Sequence, residues 1–233
     1  MAPHLDGHQA RRIRLKPILI AALATVLTTA ALPTPPAEGR HTCRARGSTT
    51  VFSSRHARIY ETRSGHVYGC LYSANRRVLL GRSDCQGVTM GDPEDFRLAG
   101  RLVGYATSAC NIDQGKDTVR VTDLRTGRKL VVADASPTFA MALPDIGGYF
   151  VTDLEVKGNG SVAWITELQA SGSPRQYEVR KSDDSVPSSG RIRRESALLD
   201  SGGLIAPDSL ELSRDRETIS WTHAGTPRSA PIQ

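Results

Sequence analysis

The chain lacks the short patterns that usually announce chemistry. No G-x-S-x-G elbow positions a serine nucleophile, and beyond residue 37 no H-x-x-x-H or H-E-x-x-H spacing brings two histidines to one metal ion. No glycine-rich loop of the phosphate-cradling kind occurs, so nucleotide chemistry is unsupported. No two cysteines have the short spacing that lets neighbouring thiolates share a tetrahedral zinc ion. Lysine is scarce beyond residue 16, with only Lys116, Lys129, Lys157 and Lys181. The arginines are scattered, "RIRR" at 191–194 being their densest run, and scattered cations do not make the continuous basic face that a phosphate backbone requires. Nucleic acid is therefore not an expected partner.

The N-terminus carries the clearest signal. "RRIRLK" (11–16) precedes "PILIAALATVLTTAAL" (17–32), which has no charge, and Pro- and Ala-rich "PTPPAEG" follows. A basic stretch, an apolar stretch and a small-residue zone read as a signal peptide, with cleavage expected between Ala30 and Ala37. The apolar run is shorter than the roughly 20 residues of a membrane-spanning helix, so no span is expected after cleavage. Arg11, Arg12, Leu15 and Lys16 resemble a twin-arginine export signal, although Arg14 stands where that signal carries a large apolar residue. "RHTC" before Cys43 is not a lipid-attachment sequence. Residues 1–37 hold Arg11, Arg12, Arg14 and Lys16 against Asp6, half of the net charge of +6, so the mature part is only mildly basic. We read 1–37 as signal peptide, 38–48 as a linker and 49–233 as one domain, secreted or otherwise extracytoplasmic, in the cell envelope. Cys43, Cys70, Cys85 and Cys110 all follow the signal. An even count in an oxidising compartment predicts two disulfides, whose pairing the spacing leaves open. A hairpin centred on Ala74 and Asn75 would set Cys70 opposite Leu79.

From residue 49 the hydrophobic period is near two, in short segments separated by glycine, asparagine or charged turns. Aromatics make up only 5% of the chain, while valine, threonine, leucine and glycine are plentiful, a mixture that suits many short strands. No sustained helical period follows the signal. One pattern recurs: "YGC" (68–70), "VGY" (103–105), "VAW" (162–164) and "ISW" (219–221) run apolar, small, then large or sulfur-bearing, each after a short alternating strand and a tight turn. Phe96–Gly100, Leu102–Ser108, Thr118–Leu124 and Lys129–Ala133 read as four antiparallel strands, the size of one propeller blade. Trp164 and Trp221 share one place in the pattern and are expected to fill the wedge between sheets.

"VRVTDLRTGRKLVV" (119–132) resembles the third and fourth strands of blades in the TolB and WD40-like β-propeller superfamily. "LELSRDRETISW" (210–221) is similar to the first hairpin of such blades, with Arg214 in place of the usual proline and Arg216 in place of the glycine. The whole layout, signal included, resembles secreted actinobacterial proteins of propeller-like type. The resemblance implies an all-β, β-propeller-like domain of about four small antiparallel blades; a two-sheet β-sandwich is the alternative. "TTVFSS" (49–54) is expected to complete the last blade and tie the N-terminus to the C-terminus.

Candidate site residues are few. "GDPED" (Asp92, Glu94, Asp95) and "KSDDS" (Asp183, Asp184) hold carboxylates, but without the alternation and central glycine of a calcium loop. His41, His56, His66 and His223 read as solvated turn or strand-end residues, and Ser161 opens a core strand. "SPTFAMALPDIGGYF" (136–150) is an unusually apolar connection, a contact patch if exposed. The expected function is a non-enzymatic binding or envelope protein. It would act as a monomer without a cofactor, on an extracytoplasmic protein or glycan. An extracytoplasmic hydrolase with a loop-borne site is the first alternative and a purely structural secreted protein the second.

Overall fold

Alternation and turn chemistry give four antiparallel sheets, each wound in chain order. The structure, a computed structural model, describes residues 43–83, 92–109, 115–140, 147–183 and 192–233, all within the unit Gly39–Gln233. Most of the signal-and-linker segment, with His41, lies outside the described residues, as do Cys85, Cys110 and Asp184. Sheet 1 is β1 (Thr49–Ser53), β2 (Ala57–Glu61), β3 (His66–Leu71) and β4 (Arg76–Arg82). Sheet 2 is β5 (Asp92–Ala99), β6 (Leu102–Ser108), β7 (Asp117–Asp123) and β8 (Arg128–Asp134). A single helical turn, α1 (Pro137–Ala140), leads to sheet 3: β9 (Gly147–Val156), β10 (Val162–Ala170), β11 (Gln176–Ser182) and β12 (Ala197–Gly202). Sheet 4 has three strands, β13 (Glu211–Leu212), β14 (Thr218–His223) and β15 (Thr226–Pro231). Among the described residues, no helix is long and apolar enough to cross a membrane.

The recurrent triplet has a packing explanation. The second strand of sheet 2 places Val103 and Tyr105 in the core shared with sheet 1, while Gly104 between them faces sheet 3. A Cβ on Gly104 would lie 2.9 Å from Leu154 and 3.2 Å from Val156, so any side chain there would have to displace both. In sheet 3, Val162 and Trp164 face sheet 2 and Ala163 faces sheet 4. In sheet 4, Ile219 and Trp221 face sheet 3, and Ser220 points away from it. In sheets 2, 3 and 4 the large residue thus packs on the preceding sheet, and in sheets 2 and 3 the small one makes room for the next. Core clusters join sheets 1 and 2, 2 and 3, and 3 and 4; among the described residues none joins sheet 4 to sheet 1.

Three expectations are corrected. The first copy of the triplet, "YGC", lies on the third strand of its sheet; Tyr60 on β2 holds the position matching Tyr105, Trp164 and Trp221. With no preceding sheet to fill, Tyr60 packs against Cys43 and Cys70, whose disulfide spans a separation of 27 residues. The chain from Cys43 onward therefore covers the free face of sheet 1. Second, Thr49–Ser53 pairs with β2 in its own sheet, as in Thr50↔Tyr60, and does not complete sheet 4. A neighbour reached by a three-residue turn costs far less closure entropy than a strand at the other end of the chain. Third, Cys70 stands opposite Arg77, and Tyr68 takes Leu79, because the turn spans Tyr72–Asn75, with Asn75 at φ 44.

Candidate functional site

In every sheet the first and second strands are joined by a tight turn, and in sheets 1, 3 and 4 a turn side chain holds it. Ser54 Oγ accepts hydrogen bonds from the amides of His56 and Ala57, Asn159 Oδ1 from Ser161, and Asp215 Oδ1 from Glu217. Gly100 at φ 64 and Arg216 at φ 61 supply the left-handed residue of their turns. All four turns meet around one cavity of about 520 Å³, which Ser54, Arg55 and His56 enter from sheet 1, Leu98 to Arg101 from sheet 2, Gly158 from sheet 3 and Arg216 from sheet 4. Among the described residues no acidic side chain lines it. Arg55 Nε donates to His56 Nε2 at 2.8 Å, and Arg101 pairs with Asp123 at 3.1 Å. A Cβ on Gly158 would lie 4.0 Å from an Arg216 Nη, and one on Gly100 would meet nothing within 4 Å.

The far end of sheet 2 is acidic. Ser108 Oγ lies 2.7 Å from Glu94 Oε1 and 2.6 Å from Asp117 Oδ1, and Asp117 Oδ2 accepts the Val151 amide at 2.7 Å. A hydroxyl has one proton to donate, so both Ser108 contacts are hydrogen bonds only when one carboxyl is itself protonated. Burial, opposed by the Ser108 and Val151 hydrogen bonds and reinforced by Glu94, raises the Asp117 carboxyl to about 6. Asp95 is also raised to about 6, by burial first and then by Glu94, Asp117 and Asp153, against the pull of Arg97. A carboxyl with a folded pKa above its unfolded value adds stability at low pH and loses it as pH rises through about 6. Lowering pH from 7 to 5 is therefore expected to stabilise the fold through Asp117 by on the order of 1 kcal/mol. Asp117→Asn should flatten that rise in a set of urea titrations across this range; an unchanged slope would exclude Asp117 as its source.

A second polar cluster occupies the far end of sheet 4. Asp200 Oδ2 accepts from Trp221 Nε1 at 2.8 Å and meets His223 Nδ1 at 2.9 Å, while Arg228 reaches both carboxylate oxygens at 2.9 Å. Burial alone would raise the Asp200 carboxyl, but hydrogen bonds from Trp221, His223 and the Ser201 amide hold it below its ordinary value.

The residues singled out in sequence are mostly dispersed. Asp92 opens β5 opposite Ser108; Glu94 and Asp95 join the acidic cluster. Asp183 pairs with Lys181 at 2.6 Å and accepts the Gln233 amide. His66 bonds Ser64 and stacks on Tyr68. Ser161 is buried immediately before β10, and Trp164 and Trp221 are core residues. Among the described residues, no group of three His, Cys, Asp or Glu is placed to hold a metal ion. Of the described histidines only His56 enters the cavity, with three arginines that the sequence does not single out for a site; the one local sign is Arg216 in a glycine's place.

No protein family's model matches the chain, and no curated protein matches it. Among solved structures, the chain is similar to the crystal structure of the computationally designed Ika4 protein, at 16% identity and a TM-score of 0.40, over 81% of this chain and 94% of that one. It is also similar to a chain in the complex of KlAtg21 with the coiled-coil of AgAtg16, at 14% identity and a TM-score of 0.43. That match covers 79% of this chain and 52% of the other.

Proposed function

We propose that the chain is an exported, non-enzymatic binding protein, built as an arc of four propeller-like blades, and that it takes its ligand where the first turns converge. One observation carries the reading: turns from all four sheets, spread over more than half of the sequence, line a single cavity. Loops gathered at one end of a rigid scaffold are a common home for binding. The burial of Tyr105, Trp164 and Trp221, each on the preceding sheet, supports blades. The Cys43–Cys70 disulfide is compatible with an extracytoplasmic protein.

A thermal-shift screen of the oxidised protein against cell-wall glycans, small metabolites and divalent ions tests it. A ligand at a hundred times its dissociation constant should add about 2.7 kcal/mol to the folded state. Gly158→Tyr, which places a ring in open space within the cavity, should abolish the shift. A uniformly flat screen, or a shift that Gly158→Tyr leaves intact, would contradict this reading. One observation favours the hydrolase alternative: His223 is oriented by Asp200 in the manner of a general base and its partner. A hydrolytic activity lost in His223→Gln would establish it.

A further inference from the structure

We propose that the cavity at the first-turn end takes a small oxyanion: a sugar-sized molecule carrying a carboxylate or a phosphate, free or at the end of an anionic glycan. The inference rests on the binding reading above and gives its ligand a chemical class. Arg55, Arg101 and Arg216 come from three different sheets and line one cavity that, among the described residues, has no acidic side chain in its wall. Asp123 partly neutralises Arg101. Among the described residues no carboxylate lies within ion-pair distance of Arg55 or Arg216. Arg55 gives its Nε proton to the neutral acceptor His56, and Glu155, whose charge Arg216 favours, is engaged by Arg97 at 3.4 Å.

A planar guanidinium fork matches the oxygens of a carboxylate or phosphate, and the bonds it makes are charge-assisted. Gly100 and Gly158 leave the backbone on two sides of the cavity uncovered, so a ligand can approach it closely. At about 520 Å³ the cavity falls within the range of small-molecule sites, roughly 300–1,000 Å³. Among the described residues His56 is the only ring in its wall, and the arginines supply most of its donors. Arg216 holds a left-handed backbone where glycine would be unstrained. A cation there brings the cavity a charge that glycine would not.

That last point supplies the test. The full chain is titrated calorimetrically, at low ionic strength, with inorganic phosphate, galacturonic acid and glucose. The proposal predicts that phosphate or galacturonic acid binds, that glucose does not, and that added salt weakens the complex. Arg216→Gly should weaken binding about tenfold or more while leaving the unfolding midpoint unchanged or higher. Arg55→Gln should weaken it in the same direction. Binding of phosphate alone marks a phosphoryl group as the source of the anion, and binding of galacturonic acid alone a carboxylate. An acid bound equally well by the wild type and both variants would overturn the proposal. Glucose bound by all three proteins and excluded by Gly158→Tyr would also overturn it, while leaving the binding end in place. Silence from all three probes overturns the anion; only a flat ligand screen as well removes the binding reading.

Discussion

Trp164→Ala is expected to lower the stability of the fold by about 3–5 kcal/mol. Trp164 has no exposed surface and lies in the cluster shared by sheets 2 and 3, among Ala106, Val119, Val131 and Leu154. Its removal takes away transfer free energy and leaves a void that close-packed strands cannot refill. Its Nε1 also donates to the Ala135 carbonyl at 2.9 Å, an oxygen that additionally accepts from Thr166 Oγ1 at 3.0 Å. Ala135 therefore keeps a partner, and the loss is mainly one of packing. Trp164→Phe should accordingly recover most of it. Urea titration at 25 °C checks both variants, with a lower midpoint and an unchanged slope expected for the alanine. A loss below about 1 kcal/mol would mean that the two sheets are not packed through this ring.

The second large effect is electrostatic. Arg180 and Glu178 on β11 form an ion pair at 2.7 Å with side chains only 4% and 8% exposed. Glu178 also accepts from Ser136 Oγ, and Arg180 donates to Thr138 Oγ1 and Ser196 Oγ. Arg180→Met strands a buried carboxylate and is expected to cost about 3–5 kcal/mol. Adding Glu178→Leu removes the stranded charge and should return most of that loss, because a buried pair and an apolar pair of similar volume are often close in stability. A double variant no more stable than the single one would show that the cost lies in packing rather than in charge. Both changes should speed amide exchange at 135–138, since Ser136 and Thr138 tie this connection to sheet 3 through the pair.

The sequence makes the middle of the molecule legible. Alternation and the triplet locate β6, β10 and β14: β6 and β10, buried between two sheets, are apolar at most positions and small where the next sheet approaches, while β14 alternates because only Ile219 and Trp221 face sheet 3. Trp164 and Trp221 announce their own burial in the same way. Sheet 1 is misread for a physical reason. Its second strand has no preceding sheet, so Tyr60 follows Arg58 and Ile59 instead of an apolar and a small residue, and Arg58 stacks on the Tyr60 ring at 5.0 Å. "YGC" imitates the triplet because Gly69 also faces a neighbour, with a Cβ there falling 2.4 Å from Leu124. The cavity is invisible to a linear reading. Arg55, Arg101 and Arg216 each look like a solvated turn residue, and only the stacking of sheets brings them together. The scattering of cations along the chain is real; it does not persist at the first-turn end.

A ligand held at the first-turn end would touch all four sheets at once. Hydrogen–deuterium exchange of the oxidised chain, with and without a ligand that raises its unfolding midpoint, tests this most directly. The expected footprint is added protection in four separate stretches, at 54–57, 98–102, 157–161 and 214–218, with the far ends of the sheets unchanged. Protection centred instead on Asp200 and His223, or on the free edge of β1, would contradict it.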